Sequence, residues 1–80
     1  MSRKDFEEDS VGSKIRSARE EASLTQEDLA EIIDITRQQL AKYEKNKVSP
    51  TVDTLIKIAS ACHTSPKKLL PKENLVLAQK

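Results

Sequence analysis

The sequence predicts an all-α fold of five short helices, and three observations carry that expectation. Hydrophobic residues make up 36% of the chain and charged residues 34%, with one Phe, one Tyr and no Trp. This balance suits charged-surface helices rather than sheets rich in aromatic and β-branched residues. Thr25, Thr36, Ser49 and Ser65 stand where helix N-caps belong. Upstream of them, Ile15, Ala18, Arg19 and Ala22 recur at helical spacing.

That spacing sets the first helix at about Val11 to Ala22. The second, over residues 25–33, starts at Thr25, with Asp28 three residues on. This is capping-box spacing, in which hydroxyl and N3 side chain satisfy free amides reciprocally. Leu24 before the cap and Leu29 at its N4 position form the accompanying hydrophobic staple. The third helix, residues 36–45, repeats both signals, with Thr36 and Gln39 as the box and Ile35 and Leu40 as the staple. Ser49-Pro50 and Ser65-Pro66 each place a cap residue before a proline at the first helical position, where the missing N–H costs nothing. They set helix four at 50–62 and helix five at 66–70. Overlaying the faces gives a core of Ile15, Ala18, Leu24, Leu29, Ala30, Ile33, Ile35, Leu40, Leu55, Ile58, Ala59, Cys62 and Leu69. Burying a Leu or Ile side chain contributes roughly 1.5 to 3 kcal/mol, enough for a small helical domain to fold.

Size and chemistry exclude several functions. At 80 residues and 9.0 kDa, the chain buries only about three fifths of its unfolded surface, which leaves one core and no room for an internal active-site cavity. No apolar run approaches the roughly 20 residues of a membrane span, and the first ten residues, MSRKDFEEDS, are acidic where a signal peptide would be apolar. A cytoplasmic location without membrane association is the expectation, and one cysteine, unable to form an internal disulfide, fits a reducing compartment. Cys62 and His63 are adjacent, so on a helix they point about 100° apart and cannot serve each other as nucleophile and base. Cys62 reads as a core residue, and His63 alone defines no metal site. With neither a P-loop nor a dinucleotide glycine motif, no enzyme, metal or cofactor is expected. Residues 1–10 lack periodicity and read as a flexible arm, 11–70 as the domain, and 71–80 as a tail. Leu75, Val76 and Leu77 make that tail a candidate dimerisation element.

The net charge of +1 hides an uneven distribution. Residues 1–10 carry two bases and four acids, and residues 51–80 five bases and two acids. Between them a run of acids (Glu20, Glu21, Glu27, Asp28, Glu31, Asp34) gives way to a run of bases (Arg37, Lys42, Lys45, Lys47) interrupted only by Glu44. A local cationic surface on a near-neutral chain is a footprint of nucleic-acid binding; the competing reading is a solvated helix face. Only Asp34 and Ile35 link helices two and three, so the pair must cross steeply, and the small Ala30 lets them approach. This is helix-turn-helix geometry, whose second helix enters the major groove by its N-terminal end. With Thr36 as cap and Leu40 and Tyr43 inward, the outward positions of helix three are Arg37, Gln38, Gln39 and Lys42. Arg pairs bidentately with guanine O6 and N7, Gln with adenine N6 and N7, and Lys with guanine acceptors. Thr36, Lys45, Asn46 and Lys47, at the start and exit of that helix, are candidate phosphate contacts.

The residues that carry these signals resemble the lambda-repressor-like helix-turn-helix domains of the Cro/CI, or XRE, type, over about Val11 to Leu70. The resemblance rests on Ile15 and Arg19 in helix one, Leu24-Thr25-Gln26-Glu27-Asp28-Leu29-Ala30 in helix two and Ile35-Thr36 opening helix three. Tyr43-Glu44 at its end, Ser49-Pro50-Thr51, and the run from Leu55 to Ala59 complete it. It implies a five-helix lambda-repressor-like domain with double-stranded DNA as partner. Arg37, Gln38 and Lys42 would lie on base edges, Gln39 on a base or sugar-phosphate, and Gln26 on a phosphate. It also implies an Arg19–Glu44 ion pair that fixes the recognition helix against helix one. The chain departs from the family pattern by placing Ser23, Asp34, Asn46 and His63 where glycine is usual. Asn, Asp and His tolerate positive φ, whereas Ser23 has no such explanation. The expected function is a transcriptional regulator, a repressor that binds a palindromic operator as a homodimer. The alternative is an antitoxin-type module that neutralises a partner protein, a toxin or antirepressor, and autoregulates its operon.

Overall fold

The computed structural model describes residues 10–70, so the arm up to residue 9 and the tail over 71–80, with Leu75, Val76 and Leu77, lie outside the described residues. Four α-helices follow in order, α1 (Val11–Glu21), α2 (Gln26–Ile32), α3 (Arg37–Glu44) and α4 (Val52–Ala61), and a 3₁₀ turn spans Pro66–Leu69. No strand occurs among the described residues, in keeping with the all-α expectation. The fifth helix is corrected to that single 3₁₀ turn. Ser65 caps it as expected, accepting the Lys67 N–H at 3.3 Å, with Pro66 in its first turn. It ends because Leu70 precedes Pro71, whose ring disfavours the α region for the residue before it. Leu70 is accordingly extended, at φ −88° and ψ 148°.

Helix starts follow the hydroxyl caps. Thr25 forms the full box, its Oγ1 accepting the Asp28 N–H at 3.0 Å while its own N–H donates to Asp28 Oδ2 at 3.1 Å. At Thr36 the forward half forms, with Oγ1 accepting the Gln39 N–H at 3.0 Å. Ser10 caps α1 by accepting the Ser13 N–H at 3.1 Å. The start of α4 is corrected from Ser49-Pro50 to Thr51, which accepts the Thr54 N–H at 3.1 Å. Two cap-competent hydroxyls lie two residues apart there, and using the later one leaves residues 48–50 free to span from α3 to α4.

All four helices end alike, and the departures from glycine explain how. Ser23, Asp34, Asn46 and His63 all have positive φ, at 61°, 63°, 61° and 59°. Each stands just past a helix and closes the two bonds of a Schellman motif. At α1 the Leu24 N–H donates to the Arg19 carbonyl at 3.0 Å and the Ser23 N–H to that of Glu20 at 3.0 Å. The same pair recurs from Ile35 to Ala30, from Lys47 to Lys42 and from Thr64 to Ala59. Ser23 therefore joins the other three, carrying left-handed strain that a glycine would not.

The core is Ile15, Leu29, Ala30, Ile33, Leu40, Tyr43, Leu55, Ile58, Ala59, Cys62 and Leu69. Ala18, Leu24 and Ile35, expected inside, are only partly buried against it, because Leu24 and Ile35 occupy the staple positions at the rim. Burial raises the Cys62 thiol above its ordinary value, with Arg19 opposing. Gly12, the only glycine, lies buried within α1. A Cβ there would stand 2.6 Å from the Tyr43 carbonyl oxygen and closer still to that of Glu44. Only a glycine lets α1 pass this near the end of α3.

Thermal melts followed by circular dichroism test both backbone arguments. Ser23→Gly is expected to stabilise by about 1 kcal/mol by removing left-handed strain, a rise of about 4 to 8 °C in Tm. Gly12→Ala is expected to destabilise by about 1 to 3 kcal/mol, since backbone carbonyls cannot yield to the methyl group. A Ser23→Gly melt at or below the parent's would contradict the strain at the end of α1.

Candidate nucleic-acid interface

The recognition-helix candidate α3 divides cleanly into two faces. Leu40 is fully buried and Tyr43 is 9% exposed, anchoring the inner face. Arg37, Gln38 and Lys42 are exposed and Gln39 is half-buried. Thr36 is exposed at the cap, so α3 and its cap present guanidinium, amide, ammonium and hydroxyl groups to solvent. Arg37, Gln38 and Lys42 form no side-chain hydrogen bond or ion pair within residues 10–70. Beside Arg37, across the short α2–α3 turn, stand the acids Glu27, Glu31 and Asp34. The cationic face is thus bounded on one side by negative charge.

What holds this face in place is a carboxylate. Glu44, the last residue of α3, has a side chain 4% exposed, and Arg19 of α1 is 11% exposed. Arg19 Nε donates to Glu44 Oε2 at 2.7 Å and its Nη2 to Oε1 at 3.2 Å, a bidentate pair. The remaining guanidinium nitrogen, Nη1, donates to the Leu24 carbonyl at 2.8 Å. The hydrogen bond to Glu44 raises the Arg19 pKa, while burial works against it. Arg19 therefore stays charged throughout the accessible range. The ion pair that the resemblance implied is present, and it joins α1, α3 and the turn before α2.

Gln26 belongs to the same cluster. Its Nε2 donates to Glu44 Oε1 at 3.1 Å, and the side chain is half-buried. Asn46, just past α3, turns toward α1: its Oδ1 accepts the Gly12 N–H at 2.9 Å and its Nδ2 donates to Ser10 Oγ at 3.0 Å. Lys45 and Lys47 on either side are exposed. Of the five phosphate candidates, Lys45 and Lys47 are exposed with no side-chain partner among the described residues, Thr36 is exposed but caps α3 through the Gln39 N–H, and Gln26 and Asn46 each hold an internal partner. Ser10 and Gly12 are structural members that the sequence reading did not single out. The Ser-x-x-Ser cap spacing at Ser10 and the isolation of a lone glycine inside a helix were the signals available for them.

Removing one member of the buried pair should be felt strongly. Glu44→Gln leaves the Arg19 charge buried without its counter-ion and is expected to cost about 3 to 5 kcal/mol, read by urea denaturation. The double variant Arg19→Met/Glu44→Met is expected to lose less than Glu44→Gln, because it strands no charge. Unchanged stability in Glu44→Gln would remove the pair from the account of how α3 is held.

Comparison with known proteins agrees with this geometry. The helix-turn-helix family profile matches residues 15–69, more than half of the chain. The HTH-type transcriptional regulator ImmR of Bacillus subtilis (strain 168) is 33% identical over 66 residues, which is 82% of this chain and 52% of that protein. The immunity repressor protein of Bacillus phage phi105 is also 33% identical over 66 residues, covering 82% of this chain and 46% of its own. The control protein C.SmaI of Serratia marcescens is 37% identical over 65 residues, 81% of this chain and 77% of that protein. The chain thus spans about half the length of the first two relatives. No solved structure gives a significant match. Profile, relatives and the α2–α3 geometry agree: the chain belongs to the helix-turn-helix family, of the Cro/CI, or XRE, type.

Proposed function

We propose that this chain is a sequence-specific double-stranded-DNA-binding transcriptional regulator, a repressor that occupies a palindromic operator as a homodimer. The observation that carries the reading is the unpartnered trio Arg37, Gln38 and Lys42, exposed on a helix whose other end is fixed by a buried bidentate ion pair. Side chains that read bases must be held in register yet keep their donors and acceptors free. In this reading Arg37, Gln38 and Lys42 contact base edges, and Gln39 a base or the adjacent sugar-phosphate. Thr36, Lys45 and Lys47 contact phosphates directly. Gln26 and Asn46 contribute to the same backbone contacts from side chains already oriented by Glu44 and by Gly12. The names of the phage phi105 immunity repressor and the control protein C.SmaI describe proteins of regulatory type, which supports the assignment. Dimeric binding follows from scale, since one recognition helix covers too few base pairs for useful specificity, and paired half-sites lie about one helical turn, or roughly 34 Å, apart.

Selection of random duplex DNA by the purified protein, followed by titration of the winning sequence at several salt concentrations, tests this. A palindrome is expected. Arg37→Ala, Gln38→Ala and Lys42→Ala should each lose about 1 to 3 kcal/mol at particular bases, while Lys45→Ala and Lys47→Ala weaken binding on all sequences and reduce the salt slope by about 1. Weak binding that fades with salt and enriches no motif would overturn the reading in favour of the antitoxin-type, protein-binding alternative.

A further inference from the structure

We infer that Asn46 is a positioning residue for DNA-backbone binding: it ties its two neighbours, Lys45 and Lys47, read above as phosphate contacts, to the first turn of α1. Its Oδ1 accepts the Gly12 N–H at 2.9 Å and its Nδ2 donates to Ser10 Oγ at 3.0 Å. Both ends of the amide are thus held by residues 34 and 36 positions away. The backbone around it is held as well. The N–H groups of Lys45, Asn46 and Lys47 donate to the carbonyls of Ala41, Tyr43 and Lys42, at 3.0, 3.1 and 2.9 Å. Asn46 itself is left-handed, at φ 61°. A glycine would adopt that conformation with less strain, so what asparagine adds at this position is the side-chain clamp.

The clamp also shapes what this edge offers an anion. Three consecutive amides are spent inside the end of α3. In the first turn of α1 the Gly12 N–H goes to Asn46, the Ser13 N–H to Ser10 Oγ and the Lys14 N–H to the Ser10 carbonyl. Arg16, which lines the same depression as Ser10, Lys45 and Asn46, is engaged with Glu20 at 3.1 Å. Lys45 and Lys47 are exposed and without side-chain partners among the described residues, so their ammonium groups are the donors left to meet a phosphate here. Their backbone is fixed before DNA arrives, and binding need order only the side chains, which lowers the entropy lost on association. Because Glu44 fastens to Arg19 of the same helix, α1 is the common reference for the base-reading face and for its phosphate contacts. This role rests on the DNA-binding reading above and gives Asn46 its part in it, acting on the DNA backbone through its neighbours.

A double-mutant cycle in duplex binding tests it, with the full chain titrated on the selected palindrome and on an unrelated duplex at several salt concentrations. The temperature is one at which every variant is fully helical by circular dichroism. Asn46→Gly keeps the left-handed backbone and removes the clamp. It should weaken binding roughly two- to tenfold, the equivalent of one ordinary hydrogen bond, by the same factor on both duplexes and with a shallower salt dependence. In the Lys45→Ala/Lys47→Ala background the same substitution should have no further effect. Unchanged affinity in Asn46→Gly, a loss of the same size in both backgrounds, or a loss on the palindrome alone would overturn the positioning role and leave the DNA-binding reading intact. If Lys45→Ala/Lys47→Ala binds like the parent, the two lysines are not phosphate contacts and the role of Asn46 falls with them, while base recognition is judged by the Arg37, Gln38 and Lys42 variants. A parent chain that enriches no palindrome defeats sequence-specific reading, yet the cycle on the unrelated duplex still decides whether Asn46 works through the lysines.

Discussion

The Glu44 carboxylate is the point on which the arrangement of this domain depends. It accepts two hydrogen bonds from Arg19 and one from Gln26, so a single side chain at the end of α3 fixes that helix against both α1 and α2. Taking two charges out of water costs several kcal/mol per ion, and the bidentate geometry with its extra donors is what offsets it. The contribution is therefore less to overall stability than to position. The exposed Arg16–Glu20 pair, at a comparable 3.1 Å, lies in water and contributes little. The difference between the two pairs is burial, and burial is what makes one of them directional.

A second fastening works at the same end of α3. Asn46 leaves the helix in a left-handed conformation and turns its amide onto the first turn of α1, where Gly12 has no side chain to keep the backbones apart. Ion pair and amide together hold the C-terminal end of α3, while Leu40 and Tyr43 hold its inner face. Arg37, Gln38 and Lys42 are left exposed and without side-chain partners among the described residues on a helix held at its end and inner face. A base-reading surface needs that combination, because flexible side chains on a moving helix would lose their discrimination to disorder.

The helices are short, at 11, 7, 8 and 10 residues. Isolated helices of this length are marginal in water, so the ends matter as much as the core. Each start carries a Ser or Thr cap and each end a Schellman closure, which satisfies backbone groups that would otherwise compete for solvent. The core of eleven residues then fixes the relative placement of segments already bounded locally.

Local interactions were legible in the sequence because cap and staple join residues three to five apart. Thr25, Thr36 and Ser65 cap as their spacing indicated, the α2–α3 turn falls at Asp34, and ten of the thirteen expected core residues are buried. The all-α class and the helix-turn-helix were fixed at this level. Arg19 and Glu44 were paired through family resemblance, not through any pattern of their own. The tertiary structure alone decided which hydroxyl caps α4, that the final segment closes as a 3₁₀ turn, and that Ser23 is left-handed. It also decided that Gln26 meets Glu44 across 18 positions and Asn46 meets Gly12 across 34. Those contacts depend on how α3 packs against α1 and α2, and no short-range spacing encodes a crossing that packing determines.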